Sequence, residues 1–84
     1  MLEVTEMILA SINAKPMKKG EIYELPYLKT ISSYGIEWSL GELVRRDFVT
    51  ETCYVKNPKH GCQAFKYKAT KKGVKYLEEH GYLN

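Results

Sequence analysis

Residues 40–77 read LGELVRRDFVTETCYVKNPKHGCQAFKYKATKKGVKYL, and the fold turns on how this stretch is divided. Leu40, Leu43 and Val44 recur at helical spacing and run through Arg45-Arg46-Asp47 into Phe48-Val49. Two β-rich runs follow, Phe48–Lys56 and Cys62–Ala69, separated by Asn57-Pro58-Lys59-His60-Gly61. Pro58 presets φ for a type I turn, and Gly61 can take the left-handed φ that closes it. The spacing therefore predicts a hairpin with a five-residue loop. Thr70 then stands where it can cap a last helix, with Val74 and Leu77 as its apolar positions.

Working outward, an apolar stripe of Val4, Ile8 and Ile12, with Met7 and Leu9 alongside, predicts a first helix over about 3–14. Pro16 ends it, because the residue before a proline is pushed out of the α region. A second short helix over about 20–25 carries Ile22 and Leu25 inward, and Pro26 stops it or opens a further turn. The stretch 27–34 has no clear period, although Ser32-Ser33 supply possible caps. The third helix is expected from about Ile36 to Asp47, with Ile36, Leu40, Leu43 and Val44 inward. In the hairpin, Val49, Cys53 and Val55 share one face of the first strand, and Phe65, Tyr67 and Ala69 share one face of the second. Those faces are expected to pack on the third helix. The last helix should span Lys71 to His80, with Gly81 ending it and Tyr82 folding back onto Leu77.

The 84 residues suffice for one domain and no second core. An apolar fraction of 44% and a charged fraction of 27% are those of a soluble globular chain. No apolar run approaches the roughly 18 residues of a membrane span. The opening Leu2-Glu3-Val4-Thr5-Glu6 puts acids where a signal peptide has a basic region, so the expected location is the cytoplasm. Net charge is only +3, but between Thr52 and Leu77 there are seven lysines (56, 59, 66, 68, 71, 72 and 75) and no acid. Such asymmetry points to a polyanion-facing side, or to a lysine hairpin that merely protects its own strand edge.

The order of helix, basic hairpin and capped helix resembles the second half of a winged-helix DNA-binding domain, in the MarR- and PadR-like branch of transcription regulators. Leu43-Val-Arg-Arg-Asp-Phe48-Val49 stands where that family tends to have Leu-x-x-x-Gly-Leu-Val. Tyr67-Lys-Ala-Thr70-Lys-Lys-Gly73-x-x-x-Leu77 stands where it tends to have Tyr-x-Leu-Thr-x-x-Gly-x-x-x-Leu. Asp47 and Ala69 depart from the pattern. The resemblance implies an α+β winged helix-turn-helix of three helices, a β-hairpin wing and a C-terminal helix. It further implies a regulator that binds double-stranded DNA as a homodimer, with the third helix in the major groove and the wing on the backbone or minor groove.

By helix-turn-helix geometry Glu37, Trp38 and Gly41 would meet DNA first, then Glu42 and Arg45. Two acids on a reading helix repel phosphate, although a glutamate can accept from a cytosine amino group. Trp38 either stacks or anchors an interface, or folds over the second helix or the 27–34 stretch as ordinary core. Arg46 ends the helix, Lys56, Lys59 and His60 mark the hairpin tip, and Lys66 and Lys68 project from the return strand. The pairing read from the loop puts Cys53 opposite Phe65 and Cys62 opposite Lys56, too far apart for a disulfide without a register change. Two reduced thiols are expected, with a cross-subunit disulfide or a redox thiol as alternatives. Cys53, His60, Cys62 and His80 lack the spacing of a zinc site.

No phosphate-binding glycine loop, His-Glu-x-x-His or nucleophile elbow is present, so neither enzyme chemistry nor a cofactor is expected. Two rival functions stay open: a winged helix that docks another protein, and a non-specific nucleic-acid binder with tyrosines as stacking surface.

Overall fold

A computed structural model of the chain describes residues 1–83. The elements run α1 (Glu3–Ala14), α2 (Lys19–Tyr23), a 3₁₀ turn (Pro26–Leu28), α3 (Ser33–Arg45), β1 (Val49–Asn57), β2 (Gly61–Ala69) and α4 (Lys71–Glu79). Helix α1 has the expected bounds. Pro26 opens the short turn, as one of its two readings had it. Helix α3 begins three residues earlier than its apolar period suggests, because the Ser32 hydroxyl accepts the Gly35 N–H at 3.1 Å.

The core joins Ile8, Leu9 and Ile12 of α1 to Ile22, Leu28, Ile36, Leu40, Leu43, Phe48, Val49, Tyr67 and Leu77. Each fully buried aliphatic side chain here contributes about 1.5–3 kcal/mol. Inside it, the Thr5 hydroxyl donates to the Ser39 hydroxyl at 3.0 Å, so the buried polar pair between α1 and α3 is satisfied. Val44 does not join the core; it is 45% exposed, beside the hairpin.

Strands β1 and β2 pair antiparallel, with Asn57 opposite Gly61, so the loop is three residues rather than five. Gly61 at φ +76° allows this last pair to form after the turn. The Asn57 side chain accepts from the N–H of Lys59 at 2.8 Å and of His60 at 3.3 Å, closing the turn locally. Only the base of the hairpin packs on the helices. Val49 and Tyr67 are buried, whereas Val55 and Phe65 are 42% and 48% exposed. The strands reach beyond the end of α3, so the alternation of apolar residues continues past anything that could cover it.

Cys53 and Cys62 form a disulfide, contrary to the expectation of two thiols. The ladder itself is as read, with Cys53 opposite Phe65 and Lys56 opposite Cys62. Two irregularities between those rungs, one leaving Tyr54 and the other Gln63 without a partner, bring the cysteine Cα atoms to 5.8 Å. A third, unforeseen strand contact closes the open edge of β2. Met17 N–H donates to the Tyr67 carbonyl at 3.1 Å, and Tyr67 N–H donates to the Met17 carbonyl at 2.7 Å.

Thr70 caps α4 through the Gly73 N–H at 3.1 Å. The helix ends at Gly81, φ +77°, with Tyr82 N–H donating to the Leu77 carbonyl at 2.9 Å, the ending its sequence forecast.

Candidate nucleic-acid interface

Helix α3 exposes two flanks. Glu37, Gly41, Val44 and Arg45 face the hairpin, where Glu51 and Tyr67 complete a groove of about 330 Å³. Trp38, 44% exposed, lies on the other flank with Leu2, Val4, Ile31 and Tyr34 around a second groove of about 450 Å³. The expected reading residues are therefore divided: Glu37, Gly41 and Arg45 come together beside the wing, and Trp38 stands apart from them. It is not ordinary core.

Neither acid of α3 is a bare charge. Glu37 accepts from the Tyr23 hydroxyl and pairs with Lys19 Nζ at 3.2 Å, both groups coming from α2. The tyrosine hydrogen bond, then the lysine, hold the Glu37 carboxyl below its usual range. Glu42 is paired with Arg46 Nε and with Arg45 Nη2 at 3.0 Å, and those contacts lower its pKa too, Arg46 first. The Glu42 pairs follow from i,i+3 and i,i+4 spacing, a signal the sequence reading passed over. The Glu37 pairs cross between helices and carry no such signal. Gly41 leaves room for Arg45, whose Nη1 lies 3.1 Å from where a Cβ would stand.

The wing carries Lys56, Lys59 and His60, all exposed, at its tip. Lys68 is exposed and Lys66 partly so on the return strand. Among the described residues none of these four lysines has a carboxylate within ion-pair distance. Also among the described residues, no group of three or more His, Cys, Asp or Glu side chains could hold a metal ion. No described helix is long and apolar enough to cross a membrane.

No family model matches the sequence, and no curated protein matches it. Solved structures do match. A mutant of Lactococcus lactis ZitR superposes with a TM-score of 0.74 at 20% identity, covering 98% of this chain and 51% of that one. The adhesin competence repressor AdcR from Streptococcus pyogenes gives 0.70 at 16% identity, over 98% of this chain and 55% of that one. A Porphyromonas gingivalis W83 protein described as a MarR-family transcriptional regulator gives 0.65 at 20%, over 99% and 81%. The chain thus spans about half the length of the first two. Identities this low carry the fold and nothing finer. The chain folds as an α+β winged helix-turn-helix of the kind found in these transcription regulators.

Proposed function

We propose that this winged helix is the DNA-binding domain of a transcription regulator and acts, paired in a homodimer, on double-stranded DNA in the cytoplasm. Helix α3 enters the major groove, presenting Glu37, Gly41, Glu42, Arg45 and Arg46, with Trp38 on its far flank. The wing follows the backbone or minor groove with Lys56, Lys59, His60, Lys66 and Lys68. The observation that carries the reading is the groove in which the α3 flank of Glu37, Gly41 and Arg45 meets the base of the hairpin at Glu51 and Tyr67. The neutralised acids support it, since a Glu37 tied to Lys19 and a Glu42 tied to two arginines repel phosphate far less than free carboxylates. One module offers limited contact area, and pairing doubles it.

The test is a titration of labelled duplex at several salt concentrations, with specific and random competitors. About five neutralised phosphates give a log–log salt slope near −4 to −5. Lys56→Ala with Lys59→Ala weakens all duplexes alike and flattens the slope by about 2, since such contacts position without reading sequence. Lys56→Glu with Lys59→Glu binding as tightly as the parent would refute the wing assignment.

One observation favours a second reading, a protein-docking module. Leu2, Tyr34 and Trp38 expose 57%, 81% and 44% of their surface around one apolar groove. On that reading duplex produces no salt-dependent shift.

A further inference from the structure

The wing has a second cationic side. Glu51 and Tyr67 turn toward α3, so the alternate residues Thr52, Lys66 and Lys68 turn away from it. The Met17–Tyr67 strand contact brings Lys15 and Pro16 up against that rear face, closing a groove of about 420 Å³ with Thr52, Tyr54, Lys66 and Lys68. Lys66 Nζ lies 4.7 Å from the centre of the Tyr54 ring and Lys18 Nζ 5.6 Å from it.

Lys18 and Lys66 thus stand over one tyrosine, and Lys15 and Lys68 line the same groove. Among the described residues none of Lys15, Lys18, Lys66 and Lys68 has a carboxylate within ion-pair distance. The acid facing them is Glu21, close enough to feel Lys15, Lys18 and Lys66, and its side chain is engaged by the Lys18 backbone N–H at 2.9 Å. Among the described residues the local balance is four cations against one anion. The arginines of α3, by contrast, are both committed to Glu42.

We infer that this rear groove binds the phosphodiester backbone of a nucleic acid, as a contact separate from α3 and the wing tip. Lys15, Lys18, Lys66 and Lys68 meet phosphates, the Thr52 hydroxyl donates to one, and the Tyr54 ring packs against a sugar or base. A polymer suits the site better than a small anion. Lys66 and Lys68 are two residues apart on one strand face, about 6.6 Å, close to two 3.4 Å steps of a nucleic-acid strand. A positive groove with an aromatic ring in it is also the combination that tracks a nucleic-acid backbone. The inference takes Lys66 and Lys68 from the proposed function and assigns them to the rear face; it is tested apart from that reading through Lys15 and Lys18, which play no part in it.

The experiment measures anisotropy of a labelled random-sequence duplex against salt, using the full chain. Lys15→Gln with Lys18→Gln, both exposed positions, flattens the log–log salt slope by about 2. The tip pair Lys56→Ala with Lys59→Ala runs beside it, and circular dichroism confirms that each variant is folded. A rear pair with the parental slope beside a flattened tip pair overturns this inference and leaves the proposed function standing. A flattened rear pair beside an unchanged tip pair sustains the groove and overturns the wing-tip reading. Inorganic tripolyphosphate at matched ionic strength is the last arm. If it binds the parent but not the rear-pair variant while both keep the same duplex salt slope, the groove is a small-anion site and the inference fails.

Discussion

The two ends of the hairpin are held by different physics. At the base, Phe48 and Val49 are buried, Thr70 N–H donates to the Phe48 carbonyl at 2.9 Å, and Met17 pairs with Tyr67. At the tip, no residue from Thr50 to Lys66 is fully buried, and a disulfide between Cys53 and Cys62 spans two bulges. Burial specifies the base. Turn chemistry and a covalent link specify the tip, which an isolated two-stranded ribbon would not hold by itself. The difference teaches what each end is for: the base fixes the fold, and the tip presents Lys56, Lys59 and His60 at a distance from it.

The sharpest way to break the base is at Gly73. A Cβ there would stand 2.2 Å from the Phe48 carbonyl oxygen, a backbone atom that cannot swing aside. Gly73→Ala should therefore force α4 off the hairpin and cost about 3 kcal/mol, measured by urea unfolding. A loss under about 0.5 kcal/mol, the range of an ordinary surface substitution, would show that α4 does not pack as closely as described.

The tip answers to a different change. Cys53→Ser with Cys62→Ser removes a link across a sequence separation of 9. On the chain-entropy account this costs up to about 2.5 kcal/mol. The contrast appears in amide exchange: tip amides should exchange faster in the variant, while those of Val49 and Tyr67 keep their ranking as the most protected in the hairpin. Equal acceleration at both ends would mean that the disulfide, and not burial, organises the base as well.

Asp47 offers a smaller effect of opposite sign. It sits at φ +62°, a left-handed conformation that disfavours a side chain. The resembled family tends to have glycine there, and the backbone now supplies the reason. The Asp47 carbonyl accepts from the Thr70 hydroxyl at 2.6 Å, so this turn is tied to the hairpin base through an atom the substitution keeps. Asp47→Gly should stabilise the chain by about 0.5–1 kcal/mol, seen as a higher urea midpoint with an unchanged slope.

Asp47 also marks where sequence reasoning works. Local chemistry was legible: the α1 stripe and Pro16, the Pro58–Gly61 turn, the Thr70 cap and the Gly81 ending each depend on residues within one turn of each other. The β pairing was legible too, because the position of the turn fixes the register of a hairpin. What depended on packing was not. Val44 has the right period but projects beyond the core, Met17 pairs with a strand 50 positions away, and two bulges no pattern announces bring Cys53 to Cys62. The candidate site divides in the same way. Spacing put Glu37, Gly41 and Arg45 on one flank of α3 and the lysines on the hairpin, whereas the separate flank of Trp38, the Lys19 and Tyr23 partners of Glu37, and Lys15 and Lys18 behind the wing needed the tertiary arrangement.

The smallest effect separates body from tip by pH. Glu6 of α1 accepts from the hydroxyls of Tyr76 and Tyr82, the latter at 2.9 Å, clasping the C-terminal end of the chain to the first helix. The Tyr76 hydrogen bond in particular holds the Glu6 carboxyl below its ordinary 4.5. Burial and then Glu6 push the Tyr76 phenol from 10.0 up to about 12. The clasp is thus intact when the acid is ionised and the phenols are neutral. A lowered acid contributes stability that is present above its ordinary pKa and lost as pH falls through the folded value. A raised phenol contributes stability that is present below 10 and lost between 10 and about 12. Urea midpoints should accordingly hold level between these limits and fall on both sides, with the acid limb shallower in Glu6→Gln. Among the described residues no carboxylate touches the tip lysines, so amide exchange at the wing tip, corrected for its intrinsic pH dependence, should follow only the global loss. An acid limb equally steep in Glu6→Gln would place the responsible carboxylate elsewhere, and a tip that opens before the body would place it on the wing.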